Sequence, residues 1–153
     1  MARYITPTLT IRSNAYDAAT NPGPTSSLMN LTVSDLLDIT EVNSKIIDAS
    51  TSNAILFNHE DYVGSSAPTI GTDGGFIFLR NLISPTATTT ANIYIGHGAN
   101  GALEGDTAVR LMTLKPGEFA FTGWDMQTDI IVDASAAVTD ALEAILFVRT
   151  GTA

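Results

Sequence analysis

Three glycines in the stretch NIYIGHGANG have the spacing of a dinucleotide-binding turn. Gly96, Gly98 and Gly101 follow a run that predicts a strand, in the order G-x-G-x-x-G. In such a motif the pyrophosphate binds the N-terminal amides of a helix that must follow the glycines. The residues that do follow, ALEGDTAVRLMTLKPGEF, alternate β-branched residues before a Pro-Gly turn and do not predict a helix. We therefore expect the glycines to serve positive-φ positions in a loop between strands.

The densest group of potential metal ligands is His59, Glu60 and Asp61 in the stretch FNHEDY. Adjacent residues of a strand point to opposite faces, so at most two of these three side chains could converge. The other histidine, His97, would join them only if two loops met, and no HExxH-type spacing supports such a site. The Asp-rich stretches TDGG and WDMQTD do not match a calcium-loop pattern. We predict no metal and no cofactor.

The sequence shows no catalytic arrangement. It contains no cysteine, which excludes a cysteine nucleophile and a disulfide framework. Serine, histidine and aspartate are present, but the GxSxG turn that exposes a nucleophilic serine is missing. Two separated histidines are also too few for a metal enzyme of the cupin kind. We predict that the protein is not an enzyme.

The charge distribution argues against polyanionic partners. The formal net charge is −9, and the seven basic residues are scattered along the chain. Nucleic acids and anionic membranes are bound through clustered Lys and Arg, so neither partner is predicted. No apolar run approaches the roughly 20 residues that span a bilayer. The first residues also lack the continuous apolar segment of a signal peptide.

Short strands separated by turn residues follow one another along most of the chain. Threonine is frequent while Glu and Lys are scarce, and this composition favours strands over helices. The pattern predicts an all-β fold, an antiparallel β-sandwich, preceded by an extended N-terminal arm. The predicted strands lie at about 28–33, 36–40, 44–49, 54–58, 75–82, 91–96, 108–114, 118–122, 129–133 and 141–149.

Two domains are predicted on this basis: an arm or extension at residues 1–27, which is divided by prolines, and a β-sandwich domain at residues 28–153. Within the sandwich, the segments GFIFLRNL and ALEAILFVR are apolar at both alternating sets of positions. A half-exposed antiparallel strand should alternate apolar and polar residues. A second covering layer, most simply another subunit, is therefore expected. The subunit-interface candidates are Ile77, Leu79, Ile145 and Phe147.

Four elements of the second half carry a resemblance to a known group of proteins. A strand with the pattern FLRN at 78–81 is followed by IYI at 93–95, by LKPGEFAF at 114–121 and by a closing LEAILF strand at 142–147. In this order the elements resemble small structural proteins of tailed-bacteriophage virions. The resemblance covers roughly residues 75–149. It implies a jelly-roll-like sandwich that decorates or cements the capsid, often as a trimer.

We therefore expect a capsid decoration or cement protein, a homotrimer that binds the major capsid protein on the capsid exterior. The N-terminal arm would reach across the interface, with Arg3, Tyr4, Arg12 and Tyr16 as candidate contacts. One alternative is a neck, tail or fibre component of the virion. Another is a carbohydrate-binding β-sandwich module in which Trp124 or Tyr94 stacks on a sugar ring and the Asp-rich loops at 72–75 and 124–129 could hold Ca²⁺.

Overall fold

The computed structural model describes residues 3–5, 8–12, 27–32, 37–63, 74–98 and 109–149, with side chains from Ile39 onward. By its contacts the chain divides into two compact units, Met1–Ile39 and Thr40–Ala153. The N-terminal unit contains two antiparallel strand pairs. Strand β1 (Arg3–Ile5) pairs with β4 (Leu37–Ile39), and β2 (Thr8–Arg12) pairs with β3 (Ser27–Thr32).

The second unit is a sandwich of two antiparallel four-stranded sheets. The first sheet has the order β10-β7-β12-β5 and the second the order β6-β11-β8-β9. The chain changes sheet at every connection except the one from β8 to β9, which is the path of an eight-stranded jelly roll. The elements are β5 (Glu41–Ala49), β6 (Ala54–Phe57), α1 (Glu60–Val63), β7 (Gly74–Asn81), β8 (Ile93–His97), β9 (Arg110–Leu114), β10 (Phe119–Trp124), β11 (Ile130–Ala134) and β12 (Val138–Arg149).

The prediction of an all-β antiparallel sandwich is confirmed. The predicted strands at 28–33 and 36–40 also exist, as β3 and β4, but they belong to the N-terminal unit. The division between the two units by contacts follows Ile39, and the predicted division into an arm at 1–27 and a sandwich domain at 28–153 stays a prediction. An arm that extends away from the sandwich stays a prediction, because residues 13–26 lie outside the described part of the chain.

The core lies between the two sheets. Strand β12 buries every second residue against it, and Leu142, Ala144 and Leu146 have no exposed surface. The opposite sheet contributes Ile93 and Ile95 from β8 in the same way. This alternation is what a strand with one inward face requires. It also determines which side chains of β7 and β12 point out of the sandwich.

A buried asparagine fastens one end of the sandwich. Asn81 ends β7 and has no exposed surface. Its Nδ2 donates to the carbonyl oxygens of Ala91 at 2.9 Å and Leu114 at 3.0 Å, while its Oδ1 accepts the Ile83 N–H at 3.0 Å. The side chain of Asn81 thus provides hydrogen-bond partners for three backbone groups, which come from three segments of the chain and are buried away from water.

The stretch LKPGE forms the tight turn between β9 and β10. Gly117 has φ +80°, which a type II turn requires at the residue after its proline. The Glu118 N–H donates to the Lys115 carbonyl at 2.9 Å, and the Lys115 N–H donates back to Glu118 Oε2 at 2.8 Å. Asn81 joins the turn through backbone bonds to Gly117 and Glu118. The turn that the sequence predicted is therefore tied directly to the first sheet.

Candidate functional site

The outer face of the first sheet is apolar and partly exposed to water. Phe119 is 57% exposed, Ile46 56%, Val42 44% and Phe121 43%. Large apolar side chains in such numbers on one face are unusual for a surface that stays in water. We name this surface the aromatic face. Its members are Val42, Ile46, Phe76, Phe78, Phe119, Phe121, Ile145 and Phe147.

Strand register brings these side chains side by side. Phe121 of β10 lies opposite Phe78 of β7, and Phe76 of β7 lies opposite Phe147 of β12. The rings of Phe76 and Phe121 are parallel to within 5°, with centroids 5.6 Å apart. Those of Phe78 and Phe119 are 6.2 Å apart. Contacts of this kind add to the stability of a sheet face while leaving much of each ring accessible.

The aromatic face also carries charged residues within its apolar surroundings. Arg80 of β7 lies directly opposite Glu143 of β12. At the end of β12, the Arg149 guanidinium lies 5.9 Å from the centroid of the Phe76 ring. Within the part of the chain that the structure describes, neither Arg80 nor Glu143 belongs to an ion pair. Both groups are therefore available to a partner that covers the face.

The interface candidates from the sequence divide between the two sides of the sheet. Ile145 and Phe147 belong to the aromatic face and are half-buried. Ile77 and Leu79, in contrast, are 1% exposed and pack in the core between the sheets. The prediction that Ile77 and Leu79 contact another subunit is wrong, because alternation along β7 turns them inward. Their neighbours Phe76 and Phe78 take the outward positions.

A cleft of about 580 Å³ opens where the edge strands β9 and β10 border the space between the sheets. Its lining is largely apolar and includes Ile77, Leu79 and Ile95. Among the described lining residues the titratable side chains are His97 and Asp125, and no hydrogen bond joins them. The described lining therefore offers apolar packing with two separate titratable side chains.

The opposite side of the sandwich, between β5 and β6, is closed by a lysine. Lys45 Nζ donates to the Leu56 carbonyl and lies 4.4 Å from the centroid of the Phe57 ring. Burial lowers the pKa of Lys45, and the nearby Asp61 carboxylate partly opposes this effect. Lys45 therefore has a structural role, because its stem covers apolar surface while its ammonium has partners.

The two aromatic residues considered for sugar binding are both buried. Trp124 is 7% exposed, its Nε1 donates to the Thr128 carbonyl at 3.0 Å, and its ring contacts Phe57 and Tyr62. Tyr94 is 8% exposed, and the Arg110 guanidinium lies 4.4 Å from its ring centroid. A sugar ring needs an exposed aromatic face on which to stack, and neither ring provides one.

The potential metal ligands form a pair rather than a site. His59 Nδ1 lies 2.6 Å from Asp129 Oδ1, and the His59 backbone N–H donates to the same oxygen at 3.0 Å. The described residues contain no group of three or more His, Asp or Glu side chains that could hold a metal ion. Burial raises the pKa of Asp129, but the hydrogen bonds and charge of His59 outweigh it and hold this pKa below its ordinary value.

This pair predicts a contribution to acid sensitivity. The folded-state pKa of Asp129 is lowered, so the unfolded chain takes up the proton more readily. The stability that the pair contributes is therefore present above about pH 4 and is lost as the pH falls through the folded-state pKa. Asp129→Asn should lose less stability than the wild type between about pH 5 and pH 2. Urea unfolding at several pH values measures this difference.

The matched control for this experiment is Glu60→Gln, which removes an exposed neighbouring carboxylate. It should follow the wild-type pH profile. If Asp129→Asn also follows that profile, the His59–Asp129 pair does not contribute to acid sensitivity.

The glycine-rich stretch lies in an antiparallel setting. Gly96 belongs to β8 and lies opposite Arg110 of β9. A dinucleotide-binding turn needs a parallel strand–helix–strand unit, and β8 has antiparallel partners on both sides. Gly98 has φ +88°, and its N–H donates to the Asp129 carbonyl at 3.1 Å. The expected positive-φ loop position is confirmed for Gly98 and is wrong for Gly96, which lies within β8. Gly101 lies outside the described residues.

The candidate contacts of the arm are only partly described. Arg3 and Tyr4 belong to β1, opposite Ile39 and Asp38, and Arg12 belongs to β2. Tyr16 lies outside the described residues. A role of these four residues in binding a capsid stays a prediction.

No helix within the described ranges is long and apolar enough to cross a membrane. Comparison with protein-family models, with curated proteins and with solved structures found no match for this chain.

Proposed function

We propose that this chain is a non-enzymatic structural protein of a tailed-bacteriophage virion, a capsid decoration or cement protein on the capsid exterior. Its partner would be the major capsid protein. The observation that carries the proposal is the aromatic face on a jelly-roll sandwich. Side chains exposed by about half, such as Phe119 and Ile46, favour a protein that works in an assembly.

The sequence resemblance supports the same interpretation. Its four elements coincide with β7, β8, the β9–β10 turn and β12, so the resemblance follows the frame of the sandwich. The net charge of −9 adds a further argument. An acidic outer surface keeps particles dispersed and does not attract packaged DNA.

Counting copies per particle tests this proposal. Particles purified from cultures that carry the gene are separated on a gel, and the chain is quantified against the major capsid protein in the same lane. A decoration protein should be present in hundreds of copies, and a neck, tail or fibre component in a few to tens. If the chain is missing from purified particles, the proposal is wrong.

Deletion of residues 1–20 tests the arm. We expect the shortened protein to lose binding to capsids that lack the decoration protein. The wild type measured on the same capsids is the reference, and a circular dichroism spectrum checks that the sandwich is intact. Unchanged binding would mean that the arm is not the docking element.

A further inference from the structure

We propose that the aromatic face binds the aromatic face of a second copy of this chain, around a two-fold axis. The axis runs parallel to the strands, between β7 and β12. This inference names the occupant of the face and does not depend on the virion. It differs from the trimer of the sequence resemblance, because two identical faces in mutual contact are related by a two-fold axis.

The two central strands of the face complement each other across this axis. Rotation about it places β7 of one copy over β12 of the other at the same height along the strands. Strand register pairs Phe78 with Ile145 and Phe76 with Phe147 within one copy. In the dimer, Phe78 therefore lies over Ile145 of the second copy, and Phe76 over Phe147 of the second copy. The centre of the interface is apolar on both sides.

The outer strands make three pairs across this axis, and two of them complement each other in size. The same rotation places β10 over β5 of the second copy. By the ladder registers, Phe121 then lies over Ser44 of the second copy, and Gly123 lies over Val42 of the second copy. In both pairs a large side chain meets a small residue, which is how two faces interdigitate. In the third pair, Phe119 lies over Ile46 of the second copy, and both side chains are large and apolar.

The charges on the face complement each other as well. Arg80 and Glu143 lie directly opposite each other on neighbouring strands. In the dimer, Arg80 of each copy therefore lies over Glu143 of the other copy. The dimer therefore contains two Arg80–Glu143 contacts between copies. Both residues are without an ion-pair partner among the described residues of one copy. Charges that become buried in an interface need such partners, since an unpaired buried charge is costly.

The area of the face is sufficient for a stable pair. Taking about 200 Å² for a whole aromatic side chain, the exposed parts of the eight residues amount to on the order of 500 Å² per copy. A specific interface buries about 800 Å² per partner, of which somewhat more than half is apolar. The aromatic face therefore supplies the apolar share of a standard interface.

Light scattering of the purified full chain at several concentrations tests the proposal. We expect the wild type to have the mass of a dimer. Arg80→Glu and Glu143→Arg should each weaken the dimer at least tenfold, because each places two like charges in contact across the axis. An equimolar mixture of the two variants should form a dimer again, since each contact across the axis then joins an acidic side chain of one variant to a basic side chain of the other. The mixture also shows that both variants are folded.

Two controls change the charge by the same amounts away from the face. Lys115→Glu in the β9–β10 turn matches Arg80→Glu, and Glu60→Arg in α1 matches Glu143→Arg. Both should remain dimers. A monomeric wild type would overturn the proposal and leave the face to another protein, such as the capsid protein. A wild-type trimer, or charge variants that dimerise as the wild type does, would overturn the two-fold contact. None of these results changes the copy number per particle, so the proposed function is tested separately.

Discussion

Asn81→Leu is expected to lower the free energy of unfolding by at least about 3 kcal/mol, since it orphans three buried polar groups and each costs about 1–3 kcal/mol. The leucine removes all three side-chain hydrogen bonds of Asn81. It thereby leaves the carbonyl oxygens of Ala91 and Leu114 and the N–H of Ile83 without these partners. Asn81 has no exposed surface, so water does not reach these groups without opening the fold. Urea unfolding followed by tryptophan fluorescence measures the loss.

Two further variants make this prediction specific. Asn43→Leu is the same substitution on the same sheet, but it removes one hydrogen bond of 3.3 Å at a half-buried position. Its cost should stay below about 1 kcal/mol. Asn81→Asp keeps the shape and loses only the two donated bonds, so it should be destabilising at neutral pH and partly recover in acid. If Asn81→Leu unfolds like the wild type, Asn81 does not fasten this end of the sandwich.

Gly75→Ala is expected to destabilise the sandwich by about 1–3 kcal/mol, the range of overpacked cores. A Cβ at Gly75 would lie 2.6 Å from the carbonyl oxygen of Phe147 and 3.1 Å from Cε of Met126. The methionine end can move, but the carbonyl belongs to the central strand β12. Moving it disturbs the β7–β12 ladder.

The neighbouring strand supplies a matched control. Gly123 lies opposite Phe76 on β10, and a Cβ there would meet nothing within 4 Å. Gly123→Ala should therefore change the free energy of unfolding of the single chain by no more than about 0.5 kcal/mol. If the two substitutions have equal effects, the close approach of the Phe147 carbonyl oxygen is not the reason for a glycine at position 75. Urea unfolding of both variants, in parallel, decides the matter.

The strands of the sandwich could be predicted because their composition and periodicity agree. The stretch at 141–149 contains good helix formers, yet it lies in β12, where burial alternates from Leu142 to Val148. The four-residue helix α1 was not predicted, since so short a segment carries no helical periodicity. The sequence also could not assign β3 and β4 to the N-terminal unit, because the local sequence of a strand does not determine which other strand it pairs with.

The sequence predicted the part of the aromatic face that lies on β12 and missed the part on β7, although the sequence contained a signal for it. Both parities of GFIFLRNL are apolar, so alternation alone does not say which set points inward. Arg80 shares its parity with Phe76 and Phe78, and a charged residue marks the outward side. The same reasoning applies to β12, where Glu143 and Arg149 accompany the outward Phe147. Had the positions of the charged residues been used, Phe76 and Phe78 would have been the interface candidates in place of Ile77 and Leu79.

The position of β12 has a consequence for how this chain is made. Among the described strands, β5 pairs with β12 alone, and Thr40 bonds to Val148 across 108 residues of sequence. At about 5–20 residues per second, a ribosome needs on the order of 10 s to deliver that partner. During this interval β5 and β7 are exposed with apolar side chains on both faces. We therefore expect the nascent chain to be prone to aggregation until β12 enters the middle of its sheet.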